Sequence, residues 1–191
     1  MLRKRGMPLM TAERYREIFR FPVREYYEEV GFDFSVEKFE RPAEEFIDEY
    51  NSLLHEAVLF EGAAETLKWA DSSGIKQYVL SAMEQQALRS SVHDRNILPF
   101  FQALFGIQDN LAHSKLQRGK ELLSFLKDHH NDTETFRPVL IGDSLHDHEV
   151  GHQLGIPVIL VSWGHQHPDR LKSTNRPVVN SFSELQHLMF V

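Results

Sequence analysis

Apolar positions recur at helical spacing through the first sixty residues, then gather into short continuous runs separated by further helical stretches. Thr11 stands where it can cap a helix in which Tyr15, Ile18 and Phe19 share one face. Pro22 interrupts, and a second helix is predicted from Val23 to Val30, stopped by Gly31. A third helix is predicted from Pro42 to about Ala57, with Phe46, Tyr50, Leu53 and Leu54 as its apolar face. From Gly62 the pattern changes. Ala63 to Ala70 reads as helix, broken at Ser72-Ser73-Gly74, and Gln77 to Leu80 is a short apolar strand ending at Ser81. Helix returns from Glu84 to about His93, with a strand near Leu104 to Ile107 and an amphipathic helix from Lys115 to Lys127. Val139 to Ile141 is a second apolar strand, followed by a helix carrying Val150 and Leu154. Strands at Val158 to Val161 and Pro177 to Val179 and a last helix from Phe182 to Met189 complete the pattern. Strands apolar on both faces that alternate with helices predict an α/β fold, a parallel sheet covered by helices. The helical residues 1–60 are expected to stand apart from an α/β core over 61–191.

Composition narrows the chemistry more than the fold. A hydrophobic fraction of 41% supports a buried core, and a formal charge of -7 disfavours nucleic acid and anionic membranes as partners. With no cysteine, disulfides, thiolate nucleophiles and cysteine metal sites are excluded. No apolar run approaches the ~20 residues a bilayer span needs, and no apolar segment follows the basic start Met1 to Arg5. A soluble, cytoplasmic protein is expected, with its oligomeric state open.

Ligands of open parallel sheets bind at the carboxyl ends of the strands, so the residues following each apolar run carry the chemical information. Ser81 follows Tyr78-Val79-Leu80, Asp143 and Asp147 follow Val139-Leu140-Ile141, and Lys115 opens the helix after the Leu104 to Ile107 strand. Lys120 competes with Lys115 but lies further from the strand end. A hydroxyl, an ammonium and two carboxylates suit phosphate chemistry: donors for phosphoryl oxygens, a cation against their charge, and oxygen ligands for Mg²⁺. Each residue also has a plainer role. Asp143 and Asp147 suit a turn and an N-cap, Ser81 a cap, and Lys115 a solvated helix face. His146, His148 and His152 lie close in sequence, but the HExxH order of a zinc helix is absent. Arg20 is a candidate for a substrate carboxylate or phosphate, or an ordinary surface arginine. Tyr26, Tyr27 and the phenylalanines of residues 1–60 are expected to be core.

Val139 to Asp147, VLIGDSLHD, resembles the fourth motif of the haloacid dehalogenase superfamily, an apolar strand followed by GDSxxD. YVLSA, Tyr78 to Ala82, resembles the second motif, and His113-Ser114-Lys115 the third. The stretch from Gly155 through Trp163-Gly164-His165 to Leu185 is similar to the tail of phosphoglycolate phosphatases. The resemblance implies a Rossmann-like parallel sheet with an α-helical cap over residues 1–60. It also implies a Mg²⁺-dependent hydrolase of a small phosphorylated metabolite. Ser81 and Lys115 would be catalytic, Ser81, Ala82, Lys115 and Arg20 would hold the phosphate ester, and Asp143 and Asp147 the metal.

The sequence departs from that pattern in one respect. Nothing matches the first motif, DxDG[TS], and Asp33-Phe34-Ser35, the nearest candidate, lacks both the second aspartate and a preceding apolar strand. In the family the first aspartate attacks phosphorus and the second protonates the leaving group. The first strand is therefore expected to be missing from between the strands that end at Ser81 and Asp143. The chain is expected to be truncated on its N-terminal side and inactive as written. A pseudoenzyme that binds a phosphorylated ligand or a partner protein is the rival reading, and a phosphomutase a second one. A dehalogenase is less favoured, because halide displacement has no need of a magnesium site.

Overall fold

The computed structural model describes residues 1–107, 114–129 and 137–189. Up to residue 56 the described chain is helical. Thr11 caps α1 (Ala12–Ile18) by accepting from the Arg14 N–H at 3.1 Å, and α2 (Val23–Val30) ends at Gly31 as the sequence predicts. The third helix, α3 (Glu40–Leu53), starts two residues early and tightens into a 3₁₀ turn at Leu54–Glu56. Tyr27 and Phe32 are buried and stack at 5.1 Å with Phe34 and Phe39 beside them, forming the expected aromatic core of this part. The apolar face of α3 is less covered than its periodicity implies: Phe46, Tyr50 and Leu53 are 44%, 42% and 56% exposed.

After α4 (Ala63–Ser72) strands and helices alternate: β1 (Gln77–Glu84), α5 (Gln85–Asp94), β2 (Phe101–Ile107), α6 (Ser114–His129), β3 (Leu140–Gly142), α7 (Leu145–Leu154), β4 (Val158–Val161), α8 (Pro168–Lys172), β5 (Val178–Val179) and α9 (Phe182–Leu188). Every strand pair is parallel. The fold is therefore mixed α/β with parallel sheets, as the alternation predicts.

The sheet is in two pieces, one ordered β1-β2 and the other β3-β4-β5. Helix α6 packs on β1, β2 and α7, while α7 packs on β3 and β4, so one helical layer joins both pieces. β1 and β3 are thus the inner edges of a broken sheet, and among the described residues no strand pairs with either inner edge. Burial follows the break. β4, paired on both sides, is at most 9% exposed at every residue, whereas Ile141 of β3 is 44% exposed and the adjacent Val139 36%. The core divides likewise. Leu88, Val92 and Ile97 pack under the first piece, while Val158, Leu160 and Leu171 pack on one side of the second and Ile159, Val161 and Val179 on another.

Candidate active site

Strand β3 ends at Gly142, and the chain turns into α7 through Asp143 and Ser144. Ser144 is the N-cap, its Oγ accepting from the Asp147 N–H at 3.2 Å. Asp147 Oδ2 returns the contact, accepting from the Ser144 N–H at 3.0 Å, the Ser144 hydroxyl at 2.7 Å and the Asp143 N–H at 3.0 Å. This reciprocal capping box satisfies donors that a helix start otherwise leaves without partners. Gly142 is required by the tightness of the turn, because a Cβ there would lie 2.3 Å from Asp147 Cβ.

Lys115, in the first turn of α6, donates from Nζ to Asp147 Oδ1 at 2.6 Å. The two side chains are 13% and 6% exposed, so the pair is buried. Burial alone would raise the Asp147 pKa. The Lys115 charge and hydrogen bond, with the Ser144 hydroxyl and Asp143 N–H, outweigh it and hold the carboxylate below its ordinary range. Because Lys115 and Asp147 both stand at helix starts that follow strands, their contact brings the carboxyl ends of β2 and β3 to one rim, where sheets of this kind bind ligands.

Asp147 therefore uses both carboxylate oxygens within the protein. Its place in the fold is cap and counter-ion to Lys115, and a cation on Oδ1 would first have to displace that lysine. Asp143 differs. Its Oδ2 accepts from the His165 N–H at 2.8 Å, and its Oδ1 has no hydrogen-bond partner among the described residues. Gly164 makes room for it, since a Cβ at that position would sit 2.0 Å from Asp143 Oδ2. Asp143 can thus offer Mg²⁺ one hard oxygen ligand. A hard cation takes about six oxygens, and among the described residues no cluster of three His, Cys, Asp or Glu could hold a metal. The donor set fits a cation in part and needs another carboxylate.

The hydrogen bonds unite Lys115, Asp143 and Asp147 and leave the other candidates in settings of their own. Ser81 lies within β1, which continues three residues beyond it through an irregularity between Leu80 and Glu84. Its hydroxyl accepts from the Met83 N–H at 3.1 Å, and Ala82 sits half-buried in the same turn. The cap of α5 is Glu84, which accepts from Gln86 and Ala87 at 2.8 and 2.9 Å, so a capping role for Ser81 is corrected. Arg20 pairs with Glu29 and donates to the Ile18 carbonyl at 3.3 Å, contacts that stay within the helical part. His113 lies outside the described residues.

In the loop after β4, sequence reasoning passed over Gln166. Gln166 is 1% exposed, its Oε1 accepting from the Leu145 N–H at 2.7 Å and its Nε2 donating to the Phe19 carbonyl at 2.9 Å. It ties the start of α7 to the helical part, and Arg170 donates to the same Phe19 carbonyl. The Tyr15 hydroxyl meets His165 Nδ1 at 2.7 Å, and the Phe21 ring packs tilted against His146 with centroids 4.7 Å apart. Burial and the nearby Lys115 charge both lower the His146 pKa. A buried glutamine in a loop has no periodicity to betray it; only the tertiary fold reveals it.

Comparison with known proteins agrees with this architecture. The family model described as haloacid dehalogenase-like hydrolase matches residues 1–161. Among solved structures, Protein Tyrosine Kinase A of Mycobacterium tuberculosis is similar with a TM-score of 0.78 at 22% identity, over 100% of this chain and 87% of that one. A predicted phosphatase from Clostridium acetobutylicum gives 0.74 at 19% identity, over 99% and 86%. A predicted phosphoglycolate phosphatase from Haemophilus somnus 129PT gives 0.71 at 13%, over 98% and 86%. At these identities the likeness speaks for the fold. No curated protein matches the sequence.

Proposed function

We propose that this chain, which belongs to the haloacid dehalogenase-like hydrolase family, is the greater part of a phosphatase that cleaves small phosphate monoesters. The observation that carries this reading is the buried Lys115–Asp147 pair beside Asp143, on the rim where β2 and β3 end. An ammonium fixed at 2.6 Å by a buried carboxylate is positioned in advance and needs no reorganisation as charge moves onto phosphoryl oxygens. Asp143 Oδ1 would be one ligand to Mg²⁺, which when bound would neutralise phosphoryl charge. Ser81 and the backbone at Ala82 would hold phosphoryl oxygens at the irregularity within β1, and residues 1–60 would serve as the cap.

The reaction still needs a carboxylate nucleophile. We assign it to one further parallel strand, apolar and ending in DxDG[TS], lying between the inner edges of β1 and β3. Its first aspartate would attack phosphorus, the ester oxygen would leave with a proton from the second, and water would hydrolyse the aspartyl-phosphate to inorganic phosphate. The test is to extend the chain on its N-terminal side with such a strand and assay a panel of phosphate monoesters with Mg²⁺. Turnover is expected from the extended chain and background from the 191-residue chain. In the extended chain Lys115→Ala should slow turnover by about two orders of magnitude, a loss of about 3 kcal/mol. A folded, extended chain inactive across the panel would overturn the hydrolase and leave the pseudoenzyme.

A further inference from the structure

Helix α1 ends in carbonyls that have no partner inside the helix, and donors from the loop after β4 and the start of α8 meet them. The His167 N–H donates to the Arg16 carbonyl at 3.0 Å, and Gln166 Nε2 and Arg170 Nη1 both donate to the Phe19 carbonyl. The Arg170 charge also suits the negative end of the helix dipole. With the Tyr15 hydroxyl on His165 Nδ1, these bonds seat α1 on the α/β core.

The same loop holds the candidate site from its other side. The His165 N–H donates to Asp143 Oδ2 at 2.8 Å, and Gln166 Oε1 accepts from the Leu145 N–H, in the first turn of α7, at 2.7 Å. The approach is close, since a Cβ at Gly164 would fall 2.0 Å from Asp143 Oδ2. His165, Gln166 and His167 are consecutive. The N–H that fixes Asp143 therefore stands two residues before an N–H that fixes α1, with Gln166 between them. Gln166 is fully buried and spends its carboxamide oxygen on the α/β core and its nitrogen on the helical part. Such a side chain cannot follow one partner away without leaving the other buried and unsatisfied.

We infer that Gln166 is a positioning residue for Asp143: through it and His165, the seating of the helical part on the α/β core sets the orientation of that carboxylate. The inference rests on the phosphatase reading only for the task of Asp143, and the coupling itself is measured without ligand. Coupling of this kind is reciprocal, so a ligand that orders Asp143 tightens the hold on α1. The test is amide hydrogen exchange, followed by NMR, in the 191-residue chain and two variants. The amides read are His165, His167 and Leu160, the last buried in β4 and bonded to the Pro177 carbonyl, where it reports opening of the whole fold. Gln166→Glu keeps an acceptor for Leu145 and turns a carboxylate toward the Phe19 carbonyl. Arg170→Met, at a half-buried position, removes a donor to that carbonyl and alters no bond of Leu145 or Asp143. In both variants His165 and His167 should exchange at least about tenfold faster, by a similar factor, with Leu160 unchanged. Faster exchange at His167 alone would overturn the inference, because the loop would then hold the helical part without acting on Asp143. Equal acceleration of all three amides in both variants would also overturn it, leaving Gln166 a role in stability only. The expected pattern, joined to an extended chain inactive on every phosphate ester, would support the coupling and remove the phosphatase alone.

Discussion

Asp143 and Asp147 look alike in the motif and differ in what their oxygens do. Among the described residues, Asp147 accepts four hydrogen bonds and neutralises a buried ammonium, while Asp143 accepts one from His165 and none at Oδ1. Removing one member of a buried ion pair leaves the other charge uncompensated, which costs on the order of 3 kcal/mol. Asp147→Asn should therefore lower the unfolding free energy of the metal-free protein by that amount, read in urea as a lower midpoint with little change in slope. Asp143→Asn, which weakens a single hydrogen bond, should cost about 1 kcal/mol. Equal losses would show that Asp147 has no structural role beyond that of Asp143.

At the scale of elements, α3 is held to the start of the chain by charge more than by apolar contact. Arg5 forks onto Glu37 at 2.7 and 2.9 Å and reaches Glu45 at 2.8 Å, while Lys4 meets Glu45 at 2.8 Å. The hydrogen bonds from Lys4 and then Arg5 lower the Glu45 pKa from 4.5 to about 2, and Arg5 lowers that of Glu37. A folded pKa below the unfolded one means that the unfolded chain binds more protons between the two values. The contribution is fully present above pH 4.5 and is lost as pH falls toward 2. Thermal melts followed by far-UV circular dichroism should show midpoints falling through that window. Arg5→Met should flatten the profile there, and an unchanged slope would remove these pairs as its cause.

At the scale of the molecule, the break between β1 and β3 dominates. An unpaired inner edge exposes backbone donors and acceptors together with apolar side chains, a template for pairing with another chain. The protein should bind a hydrophobic dye and self-associate as its concentration rises, measured by dye fluorescence and light scattering. Ile141→Thr, at a β-branched position already 44% exposed, should reduce both with little loss of stability. A monomer with no dye binding and a high, cooperative melting transition would show the edges to be covered.

Local pattern determined the helices, the strands and the turn chemistry. The Val23–Val30 helix, the Val158–Val161 strand and the Thr11 cap follow from apolar spacing and side-chain hydrogen bonding within a few residues. The rim residues Lys115, Asp143 and Asp147 were legible as well, because strand ends mark the ligand side of a parallel sheet. Three features had no local signal. α3 keeps its helical period while leaving Phe46 and Tyr50 exposed, since periodicity records a face and says nothing of what covers it. Gln166 donates to the Phe19 carbonyl across 147 residues of chain and accepts from Leu145. The unequal duties of two carboxylates were decided by which donors the fold brought within 3 Å of each, Lys115 from one helix and His165 from a distant loop. Short-range preference fixes where an element begins and ends, but the partner of a buried polar group is chosen only when distant segments meet.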